Sequence, residues 1–259
     1  MQPIRFVRFL AINYYLCLML HKTRGIVLGT AAYNDKYSLA PVYTEKFGKV
    51  TYIISSRKAK TSRCPRSLFH CLAVLEMEVE HRNLRDFQRI KEARAAIPLN
   101  SVLSDPVKSA ISIFLAELTG KIIVETQENR LLFEFLLRSV EIFELTETSY
   151  SNFHLAFMVG LSRFLGIYPD GADYSDGAYF DLREGIFSEQ KPAHPDFLNP
   201  PESKSLYNLL RINYENMSAF RFSRHERKSL IESILNYYRL HLANFREIKS
   251  VEILHEVFG

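Results

Sequence analysis

From Thr23 onward apolar positions recur with period two, the spacing that sends alternate side chains to opposite faces of a strand. Ile26 and Leu28 alternate with Val27 and Gly29; Val50, Tyr52 and Ile54 follow; Leu75, Met77 and Val79 are separated by Glu76 and Glu78. These stretches predict strands. Turn-forming residues stand between them at AYNDKY and KFGK, where Asn, Asp and Gly accept tight backbone angles. A closed antiparallel barrel of about five strands, ending near Ala93, leaves no edge exposed.

After Pro98 the period becomes helical. Ser104-Asp-Pro-Val offers an N-cap with Pro106 in the first turn, and Ile111, Phe114, Leu115 and Leu118 then share one face. Similar stripes run through Leu131, Phe135 and Val140 to Phe143, through Phe153, Phe157, Leu161 and Phe164, and through Leu230, Ile234, Tyr237 and Leu242. Between the last two lies a segment rich in Asp, Gly and aromatics, then KPAHPDFLNPP, whose prolines end any helix. The reading is an α+β chain: a barrel over 19–97 and an all-helical domain over 98–259 with a long ordered loop at 166–201.

Charge divides the chain in the same place. Leu20 to Ile97 holds 15 Lys and Arg against 7 Asp and Glu, whereas Pro98 to Gly259 holds 16 against 22. A basic barrel fits a polyanion, because clustered cations gain affinity by releasing counterions from phosphates. Cys17, Cys64 and Cys71 lack paired C-x-x-C spacing, so neither a disulfide framework nor a metal site follows, and a reducing compartment fits best. Residues 1–18 carry Arg5 and Arg8 before an apolar run, in poor imitation of a secretory signal. A start at Met19 would make them a non-native or dispensable extension, and that reading is preferred to a targeting role. No other segment approaches a membrane span.

Phosphate-cradling glycine loops, nucleophile elbows and H-E-x-x-H are absent, so no enzyme is expected. Asp170, Asp173, Asp176 and Asp181 are hard-oxygen ligands at the wrong spacing for an EF-hand and read as turn formers; His154 reads as packed in its helix stripe. The strongest local signal is Arg57, Lys58, Lys60, Arg63 and Arg66, with no acid between Thr51 and Leu75. Lys46, Lys49 and Arg24 are expected beside them on one DNA-binding face, against the plainer reading of a solvated loop. Tyr33, Tyr37, Tyr43 and Tyr52 either stack on bases or pack in the barrel. FRFSRHERKSL opens a helix with a capping box at Ser223 and Glu226; Arg221, Arg224, Arg227 and Lys228 form a second basic patch there, for DNA, for a protein partner or for solvent.

One stretch carries a family resemblance. Arg24-Gly25-Ile26-Val27-Leu28, Thr30, Tyr33, Asp35, Tyr43-Thr44, Gly48-Lys49 and Arg57-Lys58 match, in order and spacing, the opening of RecO proteins. RIKEAR at Arg89 to Arg94 and the helix ending LGIYPD also resemble that family, so the likeness covers nearly everything after Met19. It implies an OB-fold followed by a helical domain, in a cytoplasmic, nucleoid-associated mediator. Such a protein binds single- and double-stranded DNA, anneals complementary strands and works with RecR to load RecA onto SSB-coated strands. It also implies that the helical domain takes the C-terminal tail of SSB; Arg130 and Arg138, beside Leu131 and Phe135, are the candidates for that contact. Many RecO proteins carry four zinc cysteines after the L-G-x-x-P stretch, and this chain has none there. No zinc or other cofactor is expected, and packing of Tyr168, Tyr174, Tyr179 and Phe180 with Asp turns must hold the loop. Ser55-Ser56 also departs from the glycine that relatives often have before the basic cluster. The competing reading is a protein-interaction adaptor whose barrel has no direct DNA role.

Overall fold

The computed structural model describes residues 20–56, 63–82, 85–124 and 126–258. Its contacts define two compact units: one comprises Met1–Leu99 with Ala116–Arg138, the other Asn100–Leu115 with Ser139–Gly259.

The first unit is built on a barrel of β1 (Leu20–Val27), β3 (Tyr37–Thr44), β4 (Gly48–Ser55), β5 (Val74–Glu80) and β6 (Gln88–Ala95), with the two-residue β2 (Ala31–Ala32) added outside β3. Successive pairings join β1 to β3, β3 to β4, β4 to β6, β6 to β5 and β5 back to β1, so the sheet closes. Only β4 and β6 run parallel, which gives an OB-like barrel. The alternation expected in β4 is realised: Val50, Tyr52 and Ile54 are buried among Val27, Val42, Leu75, Met77 and Val79, while Thr51 and Ile53 face outward. Closure requires a glycine. Gly25 pairs with both Thr44 and Leu75, and a β-carbon on it would stand 2.5 Å from Met77 Cε and 2.6 Å from Val42 Cγ1.

The remaining elements are mostly helical: α1 (Asn100–Ser104), α2 (Pro106–Ile122), α3 (Arg130–Leu145), α4 (Phe153–Phe164), α5 (Pro200–Leu210), α6 (Arg224–His241) and α7 (Val251–Val257). Within Ser104-Asp-Pro-Val it is Asp105 that caps α2: its Oδ1 accepts from Val107 N at 2.8 Å and Lys108 N at 3.2 Å, with Pro106 in the first turn. The cap expected at Ser223 forms as a capping box with Glu226. In α3 the expected stripe holds at Val140 and Phe143, which are buried, but not in the first turns, where Leu132, Phe133 and Leu136 are buried and Leu131 is 70% exposed.

The helical region also contains a small antiparallel sheet in the loop after α4, formed by β7 (Tyr179–Asp181), β8 (Ile186–Ser188) and β9 (Phe197–Leu198) in the order β8-β7-β9. Strands of two or three residues are too short for alternation to register in a sequence. Rings and aspartates hold this segment. Tyr174 stacks on Tyr207 with centroids 3.9 Å apart and meets Phe187 edge-on at 5.2 Å, and Phe180 lies 4.8 Å from Phe187. Tyr168 donates to Leu210 O, Asp170 accepts from Ala172 N, and Asp181 Oδ1 accepts from Arg183 N and Glu184 N. Asp170 and Asp181 therefore act as turn formers, Asp176 instead pairs with Lys204 at 3.1 Å, and among the described residues no three His, Cys, Asp or Glu side chains gather into a metal site.

Candidate nucleic-acid interface

Of the basic cluster, Arg57, Lys58 and Lys60 lie outside the described residues, as does Cys17. Arg63 and Arg66 are exposed, Arg66 opening a short 3-10 turn (Arg66–Leu68) and Arg63 fixed through its carbonyl, which accepts from Ala93 N at 2.9 Å. Ser56, the last described residue before the cluster, donates its N–H to Lys36 O at 2.9 Å. The connection between β4 and β5 is thus anchored at one side to the β2–β3 turn and at the other to β6. Cys64 beside it is half-buried, and burial pushes its thiol up to about 11, so it stays protonated.

Arg24, Lys46 and Lys49 gather at the start of β4, around the turn from Thr44 to Gly48, and Ser56 leaves that strand's far end. Arg24 is committed, clamping Glu45 with Nε at 3.1 Å and Nη2 at 2.8 Å while its guanidinium lies 5.4 Å from the Phe133 ring centroid. That bond from Arg24 holds the Glu45 carboxyl below its ordinary value despite partial burial. Lys49 Nζ donates to Gly120 O and, at 3.0 Å, to Ile123 O, where the last carbonyls of α2 need donors. Lys46 alone of the three is exposed. The neighbouring outer surface of β1, β5 and β6 is a groove of about 440 Å³ in which Lys22, Arg24 and Arg94 face Glu45, Glu76, Glu78 and Glu92, a mixture that gives phosphates no net attraction.

A different constellation emerges on the outer face of β3 and β4. Tyr52 is buried inside the barrel and Tyr43 is buried outside it, stacked on Phe133 with centroids 6.4 Å apart, but Tyr33 and Tyr37 remain 54% and 42% exposed. Tyr33 N donates to Tyr37 O at 3.1 Å, so the two residues stand opposite one another across the hairpin. Phe87, from the connection between β5 and β6, meets the Tyr33 ring edge-on at 5.6 Å. Exposed Lys36 and Arg89 flank these rings, the latter opposite Ile53 on β4. The β5–β6 connection is braced from below. Gln88 accepts from Arg82 N at 2.8 Å and donates to Arg82 O and Arg85 O, and buried Glu80 pairs with Arg82, with Arg85 at 3.4 Å and with Lys91 at 3.6 Å. Sequence reasoning missed Phe87, Arg85 and Arg89 as a site because they belong to no charge run; an aromatic between arginines in RDFQR was the available signal.

The second basic patch is partly structural. Arg224 Nε donates to Phe258 O; Arg227 Nη1 donates to Phe222 O at 2.6 Å, with its guanidinium 5.3 Å from the Phe258 ring centroid. Both hold the end of the chain, leaving Arg221 exposed and Lys228 in a loose 3.9 Å pair with Glu232. His154 is packed, as its stripe implies: burial, aided by Arg227 and His255, pushes its pKa down to about 3, so it is neutral. On α3, Arg130 pairs with Glu134 at 2.8 Å and Arg138 is exposed, with exposed Leu131 and half-buried Phe135 between them.

Comparison with known proteins gives a consistent likeness. The family model described as Recombination protein O N terminal matches residues 19–98, and Recombination protein O C terminal matches 103–250. A DNA repair protein RecO from Azobacteroides pseudotrichonymphae is 50% identical over 240 residues, covering 93% of this chain and all of its own. Those of Bacteroides fragilis and Flavobacterium psychrophilum are 41% and 30% identical, covering 93% and 92% of this chain and 100% and 99% of theirs.

Proposed function

This chain belongs to the RecO family of DNA repair proteins, and we propose on that premise that it is a non-enzymatic recombination mediator acting directly on DNA. It binds single and double strands, anneals complementary strands and, with RecR, helps load RecA onto SSB-coated single strands, taking the SSB tail on its helical domain. Its place is the cytoplasm, at the nucleoid; among the described residues no helix is long and apolar enough to cross a membrane. The observation that carries the reading is the pair of exposed cations, Arg63 and Arg66, continuing a basic run in a connection without acids. Such a surface tracks a phosphate backbone by releasing counterions.

Fluorescence anisotropy with a labelled single strand, across a salt series, tests this. Log affinity should fall linearly with log salt, and Arg63→Glu with Arg66→Glu should weaken single- and double-strand binding together. Added protein should accelerate annealing of the complement, and with RecR it should shorten the lag of RecA assembly on SSB-coated strands. No binding at low salt, together with a stable complex with a protein partner, would put the adaptor reading in its place.

A further inference from the structure

We propose that Tyr33, Tyr37 and Phe87 form a platform on which unpaired bases stack, giving this protein a preference for single-stranded DNA over duplex. This inference rests on the DNA-binding reading and adds what the phosphate contacts cannot supply. Phosphates are common to both forms of DNA; base faces are free only in single strands, and aromatic side chains recognise them regardless of sequence.

Three observations carry it. First, the rings are not needed by the core: Tyr43 and Tyr52 are fully buried, whereas Tyr33 and Tyr37 project outward at 54% and 42% exposure. Residues opposite one another across an antiparallel pair share a face, and the Tyr33 N to Tyr37 O bond makes these two such a pair. Phe87 reaches the same face, 5.6 Å from Tyr33. Second, the rings sit on braced backbone. Asn34 Oδ1 accepts from Lys36 N at 3.0 Å and Tyr37 N at 2.9 Å, locking the turn, and Gln88 ties down the connection that carries Phe87. A platform ordered in advance loses little entropy on binding. Third, exposed cations border it: Lys36 at the tip of the turn and Arg89, which faces outward beside buried Gln88. In barrels of this class the face of the second and third long strands, with its flanking loops, receives oligonucleotides; here those strands are β3 and β4.

The test uses the full chain with an oligo-dT strand, an abasic strand of equal length and a duplex, at one salt concentration. Tyr33→Ala, Tyr37→Ala and Phe87→Ala should each weaken oligo-dT binding by roughly 5- to 100-fold while leaving abasic and duplex binding unchanged. Tyr33→Phe and Tyr37→Phe, which keep the ring, should bind like the parent. The chain contains no Trp, so Tyr33→Trp installs a single fluorophore that oligo-dT should quench and the abasic strand should not. Undiminished oligo-dT binding by the alanine variants, an equal loss for strand and duplex, or an unquenched Tyr33→Trp protein overturns the stacking platform. Failure of the unsubstituted protein to bind any DNA at low salt overturns the DNA-binding reading itself.

Discussion

Lys49 distinguishes a structural cation from a DNA-binding one. Its ammonium reaches two carbonyls, Gly120 O and Ile123 O, at the C-terminal turn of α2, where a cation also opposes the negative end of the helix dipole. Lys49→Met keeps the aliphatic stem and removes only the charge and its donors. A hydrogen bond to a charged group contributes about 1.5–3 kcal/mol and the dipole about 0.3–1 kcal/mol. Lys49 is half-buried, so water replaces part of what is lost, leaving a net cost of about 2 kcal/mol. With a urea m-value of about 2 kcal/mol per molar, the midpoint of the transition that melts the barrel should fall by about 1 M. Single-strand affinity measured on the folded variant should keep the salt dependence of the parent. Arg63→Ala, by contrast, should leave the midpoint in place and reduce the slope of log affinity against log salt by about 0.7. An unmoved midpoint for Lys49→Met, or a slope reduced like that of Arg63→Ala, would refute the assignment.

Burial pushes the Glu80 carboxyl up, but Arg82, Lys91 and Arg85 outweigh it and hold it below 4.5; a carboxyl depressed in the folded state stabilises above its unfolded pKa and loses that contribution as pH falls through its folded value. Glu80→Gln should therefore cost about 1–3 kcal/mol at neutral pH, discounted because the partner cations are partly exposed, and should flatten the acid limb of the stability profile in chemical denaturation. Tyr174→Ala removes a ring held between Tyr207 and Phe187 and should speed proteolysis and amide exchange around β7, β8 and β9 while sparing the barrel. Gly25→Ala should destabilise the barrel by about 1–3 kcal/mol, read as a lowered denaturation midpoint, because the added carbon meets Met77 Cε and Val42 Cγ1 at 2.5 and 2.6 Å and both side chains must shift.

The order of barrel then helices was legible because its signals are local: alternation two residues apart, stripes three and four apart, the Ser223–Glu226 box, and turns at Asn34 and Gly48. The concentration of charge between β4 and β5 was equally legible, since a run without acids needs no folding to be seen. Where each cation's charge goes was not. Lys49 looks like a neighbour of the basic run, yet its ammonium is bonded to a carbonyl 71 residues away. Lys108, a single charge on a helix, is buried, donating to Ser101 Oγ at 2.7 Å and Phe143 O at 2.9 Å, with burial lowering its pKa. Phe87 joins Tyr33 across more than fifty positions of sequence.

The sequence by itself thus determined the kinds and order of the longer elements and the sign of the charge each half carries, because these depend on periods and composition within one segment, whereas the short strands β7, β8 and β9 left no such period. Only the tertiary structure decided which cations are committed to helix ends and carboxylates, which remain on the surface, and which rings meet on one face. Those outcomes depend on barrel closure, which brings distant residues within hydrogen-bond and ring-contact range, where burial and pairing select among chemically identical side chains.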